Sequence, residues 1–339
     1  MRSDPEFQSR SMVRFIAGLI SAGVLILCPG CQLTDAQLTP TDAQTDSDPV
    51  PRSAGPTHQF SEHMMTLIPA GTFEMGSSAE TVPLKYRKCE MPPHQVSIPR
   101  PFWMCQTETT VSQFRRFVEE TGFVTEAEQD QTGCNRLDLN TGKVIQDPAV
   151  TWRTPGFPQS DRHPVVGVSH RDALAYCRWL TNKHGHSFRL PTEAEWEYAC
   201  RAGTTTAFSS GHRPKDLQGF ANASDQSLKH VFSRASGSAP WDDGHPFTAP
   251  VASYQPNRFG MYDMHGNVGE WCADWFAPDS YSQQYAQERR PRKWRVVRGG
   301  SWFNNALSCR SSGRHDGIET AASQTNGFRI VMDDSQPGE

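Results

Sequence analysis

The sequence predicts an α+β domain of irregular topology with little regular secondary structure, and three observations carry that expectation. Three amphipathic segments come with helix caps, and short alternating apolar runs are scattered around them. The chain also holds 26 Gly, 25 Pro and nine Trp in 339 residues, a composition of packed turns rather than of a helical bundle.

The first helix starts at Thr109 or Thr110, turns Val111, Phe114, Phe117 and Val118 to one face and stops at Gly122. The second takes Ser169 as N-cap with Asp172 three residues on, then carries Ala173, Tyr176, Cys177 and Leu180 as one stripe and ends near Gly185. Cys177 therefore points inward. The third opens with Pro191 and Thr192, completes a capping box with Glu195, buries Trp196, Ala199 and Cys200, and ends at Gly203. Residues 65–76 alternate apolar and polar around a turn and read as a hairpin. Short strands are expected at 250–254, 260–264, 295–298 and 327–331. Most connections between them exceed the usual length, and long loops inside a compact domain are commonly functional or stapled by bound ions.

Charged residues make up 21% of the chain and the net charge is -4. No domain-wide positive field draws nucleic acid or an anionic membrane, and nucleic acid is not expected as a partner. No internal repeat and no second linker interrupts residues 64–333, which points to one domain, 63–334, with a short tail at 335–339. Ahead of it, an apolar and small-residue run from Phe15 to Cys28 follows Arg14 and precedes Pro29, Gly30 and Cys31. That pattern is a signal-peptide core within residues 1–31, too short to span a bilayer comfortably, and Met12 opens a cleaner version of the same signal. Leu27-Cys28-Pro29-Gly30-Cys31 loosely resembles a bacterial lipobox, which makes Cys31 the candidate lipid anchor. The expected location is the periplasm or cell envelope, with membrane contact only through the signal or its lipid. Residues 32–62, rich in Thr, Asp, Gln, Ser and Pro, read as a disordered linker. Setting Cys28 and Cys31 aside leaves Cys89, Cys105, Cys134, Cys177, Cys200, Cys272 and Cys309, an odd set with no C-x-x-C spacing. A zinc ribbon or thioredoxin-like site is not expected, and the connectivity of any disulfides stays open.

Six segments together resemble the formylglycine-generating enzyme (sulfatase-modifying factor) family. They are Ile68-Pro-Ala-Gly-Thr-Phe-x-Met-Gly76, His163-Pro-Val-Val-x-Val-Ser169, Arg189-Leu-Pro-Thr-Glu-Ala-Glu-Trp-Glu-Tyr198, Gly266-Asn-Val-Gly-Glu-Trp271, Arg298-Gly-Gly-Ser-Trp302 and Gly327-Phe-Arg329. They occur in the family's order and span nearly all of residues 65–333. The resemblance implies an irregular fold related to C-type lectins, structural calcium sites and, in true members, copper-dependent oxidation of a sulfatase cysteine to formylglycine. It implies one calcium site from Asn222, the Ala223 carbonyl, Asp243 and the His245 carbonyl, and a second from Asp263, the carbonyls of Gly266 and Val268, and Glu270. Calcium takes six to eight oxygens in flexible geometry, which long loops can supply. On a straight strand Asp263 and Glu270 would face opposite ways, so they converge only if the turn at Gly266 folds the chain back. The other reading of these residues is hydrogen-bonded turn formation.

The oxidase chemistry asks for two cysteines in one loop after Gly-Gly-Ser, since two soft thiolates hold Cu(I) linearly and leave it open to oxygen and the substrate thiol. Here that loop holds only Cys309. Counted forward from Gly299, Asn304 falls at the first cysteine's place and Cys309 at the second's; counted backward from Gly327, Ser311 falls at a structural cysteine's place and Cys309 becomes a neighbour of the site. Ser301 would be the oxygen-side polar group, or simply a turn residue. The resemblance puts Ile330 where a disulfide partner for Cys177 would lie, and Gly269 where a pocket-lining Trp is usual, so a larger cavity is expected. A second copper ligand would have to reach in from Cys272, Cys134 or Cys105. Two functions stay open: an oxidase acting on exported sulfatases with a Cys-x-Pro-x-Arg segment, and a non-catalytic, calcium-stapled module that binds a peptide, glycan or partner protein. For the latter, Arg289, Arg290, Arg292, Lys293, Arg295 and Arg298 form a candidate surface for an anionic glycan.

Overall fold

The three capped segments are helices because their ends are satisfied locally. In the computed structural model, which describes residues 55–129, 131–235, 237–281 and 293–334, the α-helices are α1 (Arg87–Glu90), α2 (Val111–Thr121), α3 (Glu126–Gln129), α4 (His170–His184), α5 (Glu193–Arg201) and α6 (Gln226–Val231). Thr110, Ser169 and Thr192 each accept the amide three residues on, and the side chains of Gln113, Asp172 and Glu195 answer the cap's own amide. Gly122 (φ 67°) and Gly185 (φ 74°) end α2 and α4 in the left-handed conformation. Helix α5 stops one residue before the expected glycine, at Ala202 (φ 46°), and the Asn257 side-chain amide caps the Ala199 and Cys200 carbonyls.

The strands are β1 (Thr57–Phe60), β2 (His63–Ile68), β3 (Gly71–Met75), β4 (His94–Ile98), β5 (Phe102–Cys105), β6 (Cys134–Leu137), β7 (Val144–Asp147), β8 (Phe188–Arg189), β9 (Gly269–Trp275), β10 (Trp294–Arg298), β11 (Arg314–Ile318), β12 (Asn326–Gly327) and β13 (Val331–Asp333). One sheet runs β1-β2-β5-β13-β8 and a second β11-β10-β9-β12, with β3–β4 and β6–β7 as separate pairs. The mixed content and the small share of regular structure agree with the α+β expectation.

Several expectations are corrected. Residues 65–76 are not a hairpin: β2 pairs with β1 and β5, while β3 pairs with β4. Residues 250–254 and 260–264 form turns, because Ala252 (φ 58°), Gly260 (φ 75°) and Asp263 (φ 58°) leave extended backbone. The stretch read as linker, 32–62, ends in strand, since β1 lies within it. The signal segment 1–31, its anchor at Cys31 and the tail 335–339 lie outside the described residues. Among the described residues no helix is long and apolar enough to cross a membrane.

The two largest of five apolar clusters among the described residues lie against the first sheet and α5. One packs Phe114, Phe117, Tyr176, Cys177, Phe328 and Ile330 beneath the first sheet and helices α2 and α4; the other gathers Trp196, Cys200, Phe259 and Val296 around α5. Cys177 and Ile330 share the first cluster, and the seven described cysteines are all free thiols. Removing the cap hydroxyl with Thr192→Ala should cost about 1 kcal/mol. Urea unfolding followed by tryptophan fluorescence should show a lower midpoint at unchanged slope.

Candidate functional site

The loop after β10 is held from below by one arginine. Arg298 is fully buried; it pairs with Glu197 of α5 and donates to the carbonyls of Ser311, Ser312 and Gly313. The chain then turns through Gly299 (φ 89°) and Gly300 (φ 71°). A Cβ at Gly300 would lie 2.7 Å from the Cys309 sulfur, so glycine lets the two ends of the loop close on each other.

Inside that closure the Ser301 hydroxyl donates to Asn304 Oδ1 at 2.8 Å, and Asn305 caps a short helical turn by accepting the Ser308 amide at 3.2 Å. The Cys309 thiol points back to the carbonyls of Asn305 (3.6 Å) and Asn304 (4.0 Å). Its side chain is completely buried, and burial pushes the thiol up to about 12. Ser301, Asn304 and Cys309 are thus neighbours. Ser311 is buried against the Cys200 thiol.

His265 fastens the same loop and was missed by sequence reasoning. Its Nε2 accepts the Ser209 amide at 3.0 Å, so the proton resides on Nδ1, which donates to the Cys309 carbonyl at 2.8 Å. Burial pulls the imidazole down to about 4 and keeps it neutral.

This donor set does not fit a two-thiolate copper site. The remaining candidates are engaged elsewhere: the Cys134 thiol faces the Gly167 carbonyl, Cys272 faces the Glu270 carbonyl, and Cys105 lies in the core with Phe114. The larger cavity expected at Gly269 is also corrected. A Cβ there would lie 2.8 Å from Val297 Cγ1 and 3.1 Å from Asn326 Oδ1, so neighbours fill the space.

Asn222 of the first expected calcium set meets Gly266 of the second at one turn. A Cβ at Gly266 (φ 96°) would fall 2.0 Å from the Asn222 carbonyl, and the Asn267 amide donates to that carbonyl at 2.7 Å. In the first set, Asn222 is buried with Oδ1 unpartnered while its Nδ2 donates to the Phe247 carbonyl at 2.7 Å. Asp243 accepts from the His245 amide (2.8 Å) and the Tyr254 hydroxyl (3.1 Å); burial, with Asp225 nearby, pushes its carboxyl up to about 7. Ala223 is buried and His245 half-buried. A buried, unpartnered amide oxygen and a carboxylate disfavoured by its surroundings fit a hard cation.

In the second set, Asp263 accepts the Ala252 amide on Oδ2 at 2.7 Å and leaves Oδ1 unpartnered. Gly266 and Val268 lie on the connecting turn, both buried. Glu270 is gripped by Arg329 through Nε (2.6 Å) and Nη2 (2.7 Å) and accepts Trp196 Nε1 at 2.8 Å. A second residue missed by sequence reasoning lies here. Glu108, which follows β5, is buried, accepts the Asn267 side-chain amide at 3.0 Å and faces Asp263. No local pattern marks it, because its partners lie more than a hundred residues away.

The candidate glycan surface is corrected in part. Arg295 stacks on Trp275 at 3.5 Å and pairs with Glu319, and Arg298 is buried. Arg289, Arg290 and Arg292 lie outside the described residues.

Comparison with known proteins agrees with this architecture. The family model described as the sulfatase-modifying factor enzyme 1-like domain matches residues 50–334. The formylglycine-generating enzyme of Streptomyces coelicolor is 34% identical over 294 residues, covering 78% of this chain and 88% of that protein. The one from Mus musculus is 32% identical, over 79% of this chain and 75% of its own. The serine/threonine-protein kinase pkn1 of Chlamydia pneumoniae is 31% identical over 79% of this chain but only 37% of the kinase. Among solved structures, PvdO from Pseudomonas aeruginosa superposes with a TM-score of 0.63 at 26% identity, over 84% of this chain and all of that one. The chain belongs to the sulfatase-modifying factor family.

Two predictions concern the loop. Iodoacetamide at pH 8 should modify half-exposed Cys89 and leave Cys309 unmodified until the fold is opened, as read by peptide mass spectrometry. The buried thiols Cys105, Cys134, Cys200 and Cys309 are all pushed from about 9 to about 12. The folded state therefore binds their protons more tightly than the unfolded chain. That stability is fully present below pH 9 and is lost as pH rises toward 12. Denaturation midpoints across pH 7 to 11 should fall on the alkaline side.

Proposed function

We propose that this protein is an exported, calcium-stapled member of its family that binds a protein, peptide or glycan partner and does not carry out copper-dependent cysteine oxidation. The observation that carries this reading is the pair Asn304 and Cys309. The forward count sets an amide, hydrogen-bonded to Ser301, at the first cysteine's place and the backward count makes Cys309 only a neighbour of the site; on either count the loop offers one thiol, sealed under Gly300, and no pair of thiolates. An amide oxygen is a hard donor and does not replace a thiolate on Cu(I).

Two further points support the reading. Similarity to this chain covers 37% of a protein of Chlamydia pneumoniae named as a kinase, so a related sequence occurs within a protein named for another activity. Calcium held by Asn222, the Ala223 carbonyl, Asp243 and the His245 carbonyl, and at the turn from Asp263 to Glu270, would staple the loops into a presenting surface. An exported sulfatase is one protein such a surface could recognise.

The family's oxidase members favour the other reading, and one experiment separates the two. The purified chain is incubated with Cu(I), oxygen and a Cys-x-Pro-x-Arg peptide, and the peptide is weighed by mass spectrometry. No aldehyde is expected. Aldehyde that vanishes in Cys309→Ser would overturn the proposal and restore the oxidase.

A further inference from the structure

The β6–β7 hairpin leaves one strand edge open. At its turn Gly142 (φ 72°) and Lys143 face Asp138 as a bulge: the Gly142 amide donates to the Asp138 carbonyl at 2.7 Å, and the Asp138 amide to the Lys143 carbonyl at 2.9 Å. From there the register runs Leu137↔Val144, Arg136↔Ile145, Asn135↔Gln146 and Cys134↔Asp147. Hydrogen-bonded and non-hydrogen-bonded pairs alternate in an antiparallel ladder. Ile145 and Asp147 therefore turn their backbone groups to β6, while Val144 and Gln146 turn theirs outward. The far side of β6 agrees. Asn135, opposite Gln146, donates its amide to the Ala322 carbonyl at 2.9 Å and accepts the Gln324 amide at 3.0 Å, both away from β7. Among the described residues no strand pairs with the outer edge of β7.

That edge is apolar at its centre and charged at its ends. Residues 143–146 are exposed, Val144 at 64% and Ile145 at 37%, and no proline interrupts them. Leu139 in the turn is exposed as well, and Phe232 packs on Gly142 beside exposed Val231. An open, apolar edge is a template for another strand unless charge repels it. Here the two end charges have opposite sign. Asp147 is held in place, since Arg136 Nε donates to its Oδ2 at 2.6 Å and the Ala149 amide to its Oδ1 at 3.0 Å, and Arg136 keeps its carboxyl below the usual carboxylate range.

We propose that β7 pairs with β7 of a second copy of this chain, antiparallel about a two-fold axis at Ile145, so that two hairpins join into one sheet. This goes beyond the function proposed above, and neither calcium nor copper enters it. In this register Val144 lies opposite Gln146 of the second copy, and each outward amide meets an outward carbonyl. Ile145 faces its own counterpart across the axis. Lys143 and Asp147 of each copy face Asp147 and Lys143 of the other, on the same side of the sheet as Ile145. A shift of the axis breaks the match. Centred on Val144 it sets Lys143 against Ile145, and centred on Gln146 it sets Val144 against Pro148, which has no amide to give. The paired segment is short, so the dimer is a weak one at the low end of interface size.

The test is sedimentation of the purified full chain from about 5 µM to about 500 µM, a range suited to a small interface. Wild type is expected to pass from monomer to dimer within it. Gln146→Pro removes an outward amide that the hairpin does not use, and a strand edge tolerates proline there; it should stay monomeric with an unchanged circular dichroism spectrum. Lys143→Glu sets like charges opposite each other at both ends and should weaken the dimer at least about tenfold. Oxidation of Ile145→Cys should give a covalent dimer, since a non-hydrogen-bonded pair brings the two Cβ atoms within disulfide range. Val144→Cys, whose counterpart is Gln146, should lag far behind it, with wild type giving the background from half-exposed Cys89.

Should Gln146→Pro lose its fold, Lys143→Glu and the two cysteine variants carry the test. A wild type that stays monomeric at the highest concentration would overturn the proposal and leave the edge to an extended segment of another protein. A dimer untouched by both Gln146→Pro and Lys143→Glu would also overturn it, by placing the contact elsewhere. So would cross-linking that is no faster in Ile145→Cys than in Val144→Cys.

Discussion

The structure depends on a set of buried guanidinium–carboxylate pairs contributed by one segment. Arg298, Arg310, Arg314 and Arg329 lie within about thirty residues of each other and are buried; they grip Glu197, Glu90, Glu193 and Glu270. Those partners come from α5, from the end of α1 and from β9, so this segment is fastened to three separate elements of a fold that has few long strands. Such pairs contribute little net stability against an apolar alternative, but losing one partner typically costs 3–5 kcal/mol because the other charge stays buried. They specify one arrangement of long loops that backbone ladders alone would leave undetermined.

This constraint explains how the candidate loop can be both irregular and closed. Arg298 spans its two ends, Gly300 lets Cys309 pack beneath it, and His265 holds the Cys309 carbonyl from outside the loop. A thiol placed this way behaves as a small apolar core group. The family fold is retained, the loop holds a single buried thiol, and ion pairs fasten its ends.

Much of the fold was legible because its signals are local. The caps at Thr110, Ser169 and Thr192 and the glycine at the end of α2 lie within a few residues of the backbone groups they satisfy. The sheets were not legible. β2 and β3 look like a hairpin in sequence, yet their partners are set by β5 and β4, and β12 joins β9 in parallel from more than fifty residues away. The turn at Ala252 failed as a strand because its amide is captured by Asp263. At the site, the motif residues Ser301, Cys309, Asp263 and Glu270 were visible as types. That Glu108, His265 and Arg329 are held against this site was visible only once the chain was folded, since their contacts join residues far apart in sequence.

The central claim is the proposal that this chain does not hold Cu(I) in the loop after β10, and Cu(I) titration against a competing chelator tests it most directly. The account predicts that copper stays with the chelator and that Cys309 remains equally protected from alkylation with and without it. One equivalent of tightly held Cu(I), lost in Cys309→Ser, would contradict the account and return the loop to catalysis.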